Sequence, residues 1–252
     1  MLDVLSSCSA VQIGVLVISA LLVGINKTAV PGLGVIPVML LASYFETGLS
    51  AGLQLGMIAI CDLMAVIWYR RGADWKIILH LLPWALAGLA VGAVILRLLP
   101  ANDNTLMRRL IGAIVLGLAV ISFVKSRLAP DKIPTGMGAS AFFGILLGTT
   151  TQLANAAGPV SSIYFLSMKL DKARYMGTAA WFFLIVNYIK IPIFVCEGRI
   201  TSQSVMMNFI FIPVMVIGAV LGVFFFRKIP QKVFDAIIQV FVVVAAVKML
   251  FF

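Results

Sequence analysis

Long apolar runs recur along the whole chain and constrain its fold more than any other feature. Several contain about 17 to 24 residues with few or no charges, which at about 1.5 Å per residue is enough to cross a hydrocarbon core of about 30 Å. These runs lack the polar outer face of a helix in a soluble domain. A mean hydropathy of +1.13 and a charged fraction of 11% agree with this interpretation. The sequence therefore predicts an all-α integral membrane protein.

Two of the apolar segments are too short to span a membrane comfortably. The predicted segments are 9–25, 33–45, 49–69, 76–99, 106–124, 136–154, 159–168, 174–195, 204–226 and 232–251. The short ones, 33–45 and 159–168, each follow a break rich in Gly, Pro and Asn inside a longer apolar stretch. We expect each short segment to form a broken, re-entrant hairpin with the segment before it.

The basic residues set the predicted orientation. If each broken pair enters and leaves on one side, twelve Lys and Arg fall on one face and five on the other. The twelve are Arg70, Arg71, Lys76, Lys125, Arg127, Lys132, Lys169, Lys172, Arg174, Arg227, Lys228 and Lys232. The positive-inside rule places them in the cytoplasm and both termini outside it. Because the net charge of +10 comes mainly from these loop clusters, it does not indicate nucleic-acid binding.

An internal repeat divides the chain into two halves. Residues 79–100 match residues within the segment 208–230 at a constant shift of 130. The coincident pairs are Pro83 and Pro213, Gly88 and Gly218, Gly92 and Gly222, Arg97 and Arg227, and Pro100 and Pro230. We predict two membrane repeats, 1–130 and 131–252, each a broken hairpin plus three transmembrane helices. Because three is odd, the second repeat would enter the membrane from the opposite side and be inverted.

The two breaks are the candidate binding site. Backbone breaks at membrane depth are tolerated only where protein or a water-filled cavity satisfies the freed polar groups. The arms after the breaks would aim their N-termini at the membrane interior, which favours an anion. The candidate substrate-binding residues here are Asn26, Lys27, Thr28, Pro31, Gly32, Gln152, Asn155, Gly158 and Pro159. The alternative is that Lys27 reaches the outer headgroups and the Pro and Gly residues merely kink one long helix.

Three further polar residues lie within apolar segments. Asn187 and Lys190 are three apart on one helical face and are candidates for binding or gating, although Lys190 could also be an interface anchor. Asp62 lies eight residues before Arg70, too deep for its short side chain to reach water. It could orient the site, carry a coupling proton or form a purely structural ion pair.

Enzymatic chemistry and metal binding are not expected. The sequence contains no HExxH, P-loop or CxxC motif. Cys8, Cys61 and Cys196 are scattered without metal or redox spacing, and His80 has no partner at ligand spacing. We therefore predict neither a cofactor nor a metal.

The order and spacing of four segments give a resemblance to a known family. GINKTAVPGLGVIPV, DLMAVIWYRRGADW, AGPVSSIYFL and GTAAWFFLIVNYIKIPIF together resemble the sulfite exporter TauE/SafE family across nearly the whole chain. The resemblance implies a multi-spanning inner-membrane protein with two repeats that moves sulfite, thiosulfate, sulfonates or related organic anions, mostly by export. The positions that match the pattern are Asn26, Lys27, Pro31, Gly32, Asp62, Asn155, Gly158, Pro159, Asn187 and Lys190.

The resulting hypothesis is a secondary transporter with a midplane anion site formed by the two breaks. Its partners would be a small anionic substrate and the lipid bilayer, and the sequence leaves a homo-oligomer open. Two alternatives use the same scaffold, an importer and a channel-like uniporter. A third alternative is an intramembrane enzyme, which would need several catalytic side chains at membrane depth, and Asp62 alone falls short of that. A fourth is an assembly subunit without a substrate.

Overall fold

The described part of the chain is almost entirely helical. The computed structural model describes residues 8–98, 136–155 and 157–251. Its helices are α1 (Ala10–Thr28), α2 (Val35–Tyr44), α3 (Thr47–Tyr69), α4 (Trp75–Leu98), α5 (Met137–Ala154), α6 (Ala157–Ser167), α7 (Lys172–Cys196), α8 (Ser202–Ile210), α9 (Ile212–Lys228) and α10 (Gln231–Phe251). A short 3-10 turn, Arg70–Gly72, follows α3. These ranges contain no strand, and the all-α prediction is confirmed.

The helix lengths fit a protein that crosses a membrane several times. The described helices that are long and apolar enough to span are Ala10–Thr28, Gly48–Gly72, Trp75–Arg97 and Lys172–Cys196. Together α8 and α9 would form a further span, bent by 53° between them. The segment predicted over 106–124 lies outside the described residues.

The bend between α8 and α9 was not expected, because the sequence predicted one segment over 204–226. Pro213 is the second residue of α9, and proline, which has no N–H to give, suits the first turn of a helix. Its repeat partner Pro83 lies inside the unbroken helix α4. A proline at matching positions therefore accompanies a break in one half and a continuous helix in the other.

The two short arms cannot cross a bilayer. Helix α2 has 10 residues and α6 has 11, so each is about 15 to 17 Å long. This is about half of a hydrocarbon core of about 30 Å. Each arm alone is therefore too short to span a membrane, and the re-entrant hairpins stay a prediction.

The helices of the two halves pack on each other reciprocally. Helix α4 lies against α5, and α9 lies against α1. Gly88 of α4 packs directly against the backbone carbonyl of Ile145 in α5. Gly218 of α9 packs in the same way against the backbone carbonyl of Leu21 in α1. The contacts of Gly148 with Ala85 and Leu89 are likewise matched by those of Gly24 with Met215 and Ala219. In both crossings the absent Cβ lets two backbones approach closely.

The burial pattern repeats as well. Residues 81–92 and 211–222 show the same order of buried, half-buried and exposed positions. A constant shift of 130 between α4 and α9, and of 124 between α1 and α5, carries one crossing onto the other. This correspondence is what two related halves would produce. The division at residue 130 stays a prediction, because it falls outside the described residues.

The described residues form two large hydrophobic cores. The first core draws its buried residues from α1, α2, α3, α8 and α9. The second draws them mainly from α4, α5, α6, α7 and α10, with Ala29 and Phe226 at its edge. The first core thus combines three helices of the first half with α8 and α9 of the second, and the second core combines four helices of the second half with α4 of the first. Helix α3 contributes to the first core and α7 to the second, and the two helices meet in a third, smaller cluster of Ala65, Val66 and Ala180.

Candidate functional site

A small cavity lies where the two breaks come together. Its volume is about 70 Å³, and residues of α1, α3, α5, α6 and α7 line it together with the first break. The predicted residues on its wall are Asn26, Lys27, Pro31, Gly32, Asp62, Asn155, Gly158, Pro159 and Asn187. Both breaks, which are far apart in the sequence, therefore contribute to the same space.

Asn26 organises the first break from within. Its Oδ1 accepts hydrogen bonds from the amides of Gly32, at 3.1 Å, and Gly34, at 2.9 Å. Gly32 has φ of +111°, a backbone conformation that suits glycine. Among the described residues no acceptor bonds Asn26 Nδ2, which leaves this amide donor available to the cavity.

Lys27 introduces a positive charge into the cavity wall. Its Nζ lies 2.7 Å from Asp62 Oδ1 and 4.3 Å from the ring centre of Phe183. The Lys27 side chain is 12% exposed and that of Asp62 is 0% exposed. The other carboxylate oxygen, Asp62 Oδ2, accepts from Asn187 Nδ2 at 2.6 Å. Asp62 thus joins α1, α3 and α7 through two strong contacts.

Asn155 forms the second break with a single change of backbone direction. It is the C-cap of α5 and adopts a left-handed conformation with φ of +51°, which asparagine tolerates better than most residues. Its Nδ2 lies 3.3 Å from Gln54 Oε1 and 3.5 Å from the carbonyl of Ala51, both on α3. Its Oδ1 accepts from Lys190 Nζ at 2.5 Å.

The start of α6 offers backbone amides to the cavity. Ala157, Gly158 and Pro159 are its first three residues, and all three line the wall. The first amides of a helix have no acceptor in their own helix. Within the described ranges, no hydrogen bond uses the amides of Ala157 and Gly158. A Cβ at Gly158 would meet no atom within 4 Å, so open space lies beside this residue.

The first break offers fewer amides than the sequence suggested. Every N–H between residues 29 and 34 is already bonded: those of Ala29 and Val30 to the carbonyl of Ile25, that of Leu33 to the carbonyl of Val30, and those of Gly32 and Gly34 to Asn26. An anion in the cavity would therefore meet the Lys27 ammonium and the Asn26 amide on this side, with backbone donors coming from α6.

Three of the predicted site residues do not line the cavity. Thr28 is fully buried, and its hydroxyl bonds the carbonyls of Gly24 and Ala219, both at 2.9 Å. Gln152 is also buried and lies against Gly92, as Thr28 lies against Gly222. These two residues occupy matching positions on α1 and α5. Both face a glycine stripe on the opposing helix, which is formed by Gly218 and Gly222 on α9 and by Gly88 and Gly92 on α4.

Lys190 is the third predicted residue outside the cavity wall. It is 0% exposed, and its Nζ donates to the carbonyl of Thr151 at 2.8 Å, to Thr151 Oγ1 at 3.0 Å and to Asn155 Oδ1. Because Thr151 and Asn155 both line the cavity, Lys190 stands directly behind its wall. It is not an interface anchor in this conformation, since its ammonium is buried.

One face of α7 supplies lining residues that sequence reasoning missed. Tyr175, Met176, Ala179, Ala180 and Phe183 line the cavity on the same helix as Asn187. Their spacing of three and four residues from one another and from Asn187 is the signal that could have found them. On this helix the sequence predicted only the polar residues Asn187 and Lys190 as site residues.

Metal binding has no support in the described part of the chain. No group of three or more His, Cys, Asp or Glu side chains is placed there to hold a metal ion. Cys61 is buried and Cys196 is exposed. Besides the Asp62 carboxylate, which is paired with Lys27, the polar groups around the cavity are ammonium, amide, hydroxyl and backbone N–H groups, and these donors suit an oxyanion.

Comparison with known proteins gives one match. The sequence model of the family described as Sulfite exporter TauE/SafE matches residues 16–249. No curated protein and no solved structure matches the chain. The matched region includes both breaks, the whole lining of the cavity and Lys190.

Proposed function

Because the chain belongs to the sulfite exporter TauE/SafE family, we propose that it is a secondary transporter that binds a small oxyanion between its two helix breaks. The family is one of membrane transporters and not of enzymes, as expected from the sequence. Transport of a sulfite-like anion is the activity that the family indicates. The particular substrate, the direction of transport and the use of the cavity are the proposal.

The observation that carries the proposal is the convergence of both breaks on one cavity that contains Lys27. Lys27 Nζ, Asn26 Nδ2 and the first amides of α6 are donors on its wall. A helix N-terminus and an ammonium both attract negative charge, and their effect is larger where water is excluded. Around the wall two lysines, Lys27 and Lys190, accompany one carboxylate, Asp62.

The size of the cavity supports a small substrate. Sites for drug-sized ligands usually enclose about 300 to 1,000 Å³. The present cavity, at about 70 Å³, suits an anion of a few heavy atoms, such as sulfite or the head group of a small sulfonate. A longer substrate would have to extend along α7 toward Tyr175.

Asp62 keeps the binding of such an anion reversible. The Lys27 ammonium is already paired with a carboxylate at 2.7 Å, so an incoming anion has to share it. A transport site has to bind its substrate well enough to select it and weakly enough to release it. Competition between Asp62 and the substrate for Lys27 provides this balance.

The moving parts would be the two hydrophobic cores. The cores follow the predicted division into two repeats, except that α4 belongs to the second core and α8 and α9 belong to the first. The crossing of α3 with α7 lies between the cores, and Asp62 and Asn187 link these two helices. A relative rotation of the cores would open the cavity alternately to the two sides.

Export is the proposed direction, from a bacterial inner membrane with both termini outside the cytoplasm. The membrane potential drives an anion outward with roughly 2.3 kcal/mol per charge per 100 mV, so export requires no nucleotide hydrolysis. Flux in proteoliposomes under imposed voltage and pH gradients tests this. Outward flux that follows the voltage supports export, flux that requires an inward proton gradient indicates an importer, and flux without saturation indicates a channel-like uniporter.

The binding site is tested with the purified full-length protein and a panel of anions. Sulfite, thiosulfate, a small sulfonate, sulfate, acetate and chloride are compared by thermal stabilisation and by calorimetry. We expect at least one sulfur oxyanion to stabilise the protein. Indifference to the whole panel would favour an assembly subunit without a substrate and would overturn the proposal.

The matched variants are Asn26→Asp and Thr28→Val. The aspartate retains an oxygen for the amides of Gly32 and Gly34 but replaces the cavity-facing donor by a negative charge. We expect at least a tenfold loss of anion affinity with the fold retained. Thr28→Val changes a predicted site residue that lies outside the cavity wall, and we expect its affinity to be unchanged. Equal affinities in both variants would place the anion elsewhere.

A further inference from the structure

The cavity ends abruptly along α7. Its lining follows one face of this helix through Ala179 and Phe183 as far as Asn187. The same face continues three and seven residues later with Lys190 and Phe194, which are 0% and 1% exposed and do not line the cavity. The space beside α7 is therefore filled beyond Asn187, toward the C-terminal end of the helix.

Lys190 is the first side chain that fills the space beyond the cavity. Its ammonium has three N–H donors, and the three oxygens around it belong to Thr151 and Asn155 at the end of α5. Within the described residues no carboxylate lies within ion-pair distance of it. A buried charge that is solvated by neutral oxygens alone is costly, although the negative end of the α5 dipole offsets part of this cost.

A second layer lies beyond Lys190. The ring of Phe194 has Lys190 Nζ at 5.0 Å and Arg199 Cζ at 4.9 Å from its centre. Gln152 Nε2 donates to Glu197 Oε1 at 3.1 Å, and Glu197 Oε2 pairs with Arg199 Nε at 3.1 Å. The end of α5 is therefore tied to the end of α7 by two successive sets of polar contacts.

Buried polar atoms beside these layers lack partners. Gln152 Oε1 and Gln54 Nε2 are both buried, and neither has a hydrogen-bond partner within the described chain. Gln54 also accepts from Asn155, so both glutamines belong to the surroundings of Lys190. Buried polar groups are normally satisfied, and these two would gain partners if a polar ligand or water entered this region.

We propose that this cluster is the gate that closes the cavity at the C-terminal end of α7, and that Lys190 binds the substrate anion as it passes. The cluster consists of Thr151, Gln152, Asn155, Lys190, Phe194, Glu197 and Arg199. The inference rests on the proposed anion transport. By the distribution of basic residues, this gate faces the outside of the cell.

The chemistry of Asn155 links the cavity to the gate. Asn155 lines the cavity and also holds Lys190 through Oδ1. An oxyanion is a stronger partner for an ammonium than an amide oxygen is. An anion that moves from Lys27 toward α5 therefore replaces Asn155 on Lys190, and the bond that ties the end of α5 to α7 is released. Arg199 lies next along this route.

The gate is tested by the accessibility of a cysteine in the cavity. Ala179→Cys is introduced into full-length protein in which Cys8, Cys61 and Cys196 are replaced by Ala. A membrane-impermeant maleimide is applied to proteoliposomes of known orientation, from each side in turn. With the gate intact we expect slow labelling from the side of the α7 C-terminus. Lys190→Met and Glu197→Gln should each accelerate labelling from that side at least tenfold and leave labelling from the opposite side unchanged.

Lys172→Met is the matched control. Lys172 Nζ bonds the carbonyls of Phe226 and Ile229, at 3.1 and 2.7 Å, and lies 4.8 Å from the ring centre of Phe226. Its ammonium therefore caps the C-terminal end of α9 and lies over a phenylalanine, as the Lys190 ammonium does at the end of α5. Lys172 itself is outside the cavity and the gate. Its loss should not change labelling from the gate side.

The second part of the inference is tested by flux. With methanesulfonate as the probe, which does not react with maleimides, Lys190→Met should lower the maximal transport rate at least tenfold and change the binding affinity less than about twofold. A helix cap alone would leave both quantities unchanged.

Two outcomes would overturn the gate. One is unchanged labelling in both Lys190→Met and Glu197→Gln, and the other is equal acceleration by Lys172→Met. Glu197→Gln retains Lys190 and so remains informative if Lys190→Met does not fold. Labelling requires no anion, so a failed anion panel with accelerated labelling would reject the proposed substrate and retain the gate.

Discussion

The two helix breaks line one cavity, but they are built in different ways. The first runs from Ala29 to Gly34, whereas the second lies between helices that end at Ala154 and begin at Ala157. The long break is held by Asn26 within its own segment, through the amides of Gly32 and Gly34. The short break is held by Asn155, whose partners lie on α3 and α7. One break is closed locally, and the other depends on its neighbours.

The charges are distributed differently as well. In the first half the lysine lies on the broken helix and its partner Asp62 on the spanning helix α3. In the second half the lysine, Lys190, lies on the spanning helix α7 and its oxygen partners at the end of the broken helix. Asp62 and Asn187 occupy the middle of the arrangement and bond each other. Two similar halves therefore give an asymmetric pair of ammonium sites, one against a carboxylate and one against neutral oxygens.

Removal of Lys27 should have the largest effect on stability, because Lys27 forms an ion pair with the buried carboxylate of Asp62. The second break has no such pair among the described residues. Lys27→Met leaves Asp62 buried without its cation, and we expect a loss of about 3 to 5 kcal/mol in unfolding free energy. Lys27→Met with Asp62→Leu should recover most of this stability and still bind no anion. Thermal unfolding and calorimetry measure the two effects. If the double variant remained as unstable as the single one, the pair would not be the cause.

Asn155 should be the next most sensitive position. Asn155→Ala loses the bond to Lys190 and places alanine at φ of +51°, so we expect a loss of about 2 to 4 kcal/mol. Asn155→Gly accepts the left-handed backbone and should be about 1 kcal/mol more stable than the alanine variant. Chemical or thermal unfolding of the two variants separates the backbone from the side chain. Equal stabilities would show that the backbone conformation contributes nothing.

Asn26→Ala should lower the unfolding free energy less than Asn155→Ala does. This comparison tests whether the first break is held by bonds within its own segment and the second by bonds to neighbouring helices. It frees the amides of Gly32 and Gly34, but these lie at a cavity wall where water can replace the lost acceptor. We expect a loss of about 1 to 2 kcal/mol. Hydrogen exchange should increase in the first break only, whereas Asn155→Ala should increase it in α5 and α7 together. Exchange confined to the second break in Asn155→Ala would contradict the comparison.

The helical membrane fold, the two breaks and most polar residues of the cavity could be predicted from the sequence. Apolar length and Gly, Pro and Asn content are local properties, so they can be read without a structure. The positions of Thr28 and Gln152 could not be read in this way, since each depends on which side of its helix meets the glycine stripe of the other half. The placement of α4 in the second core and of α8 and α9 in the first was not predicted for the same reason. Asn26 and Asn155 looked alike in the sequence, and only their partners distinguish them.

Gly158→Ala should have the smallest effect and concerns the second break alone. Gly158 is the second residue of α6, and a methyl group there enters open space inside the cavity. We expect anion affinity to fall by about fivefold, on the order of 1 kcal/mol, because the methyl group occupies part of the binding volume. Stability should rise slightly, since alanine is a better helix former than glycine.

Gly138→Ala is the control for this effect. Gly138 is the second residue of α5 and also has no atom within 4 Å of an added Cβ, but it is exposed and lies outside the cavity. Both variants should gain similar stability from the same change in backbone freedom, and only Gly158→Ala should lose affinity. If both variants retained full affinity, the anion would not contact the start of α6, and the second break would contribute support without binding. The first break, with Lys27 and Asn26, would then hold the substrate alone.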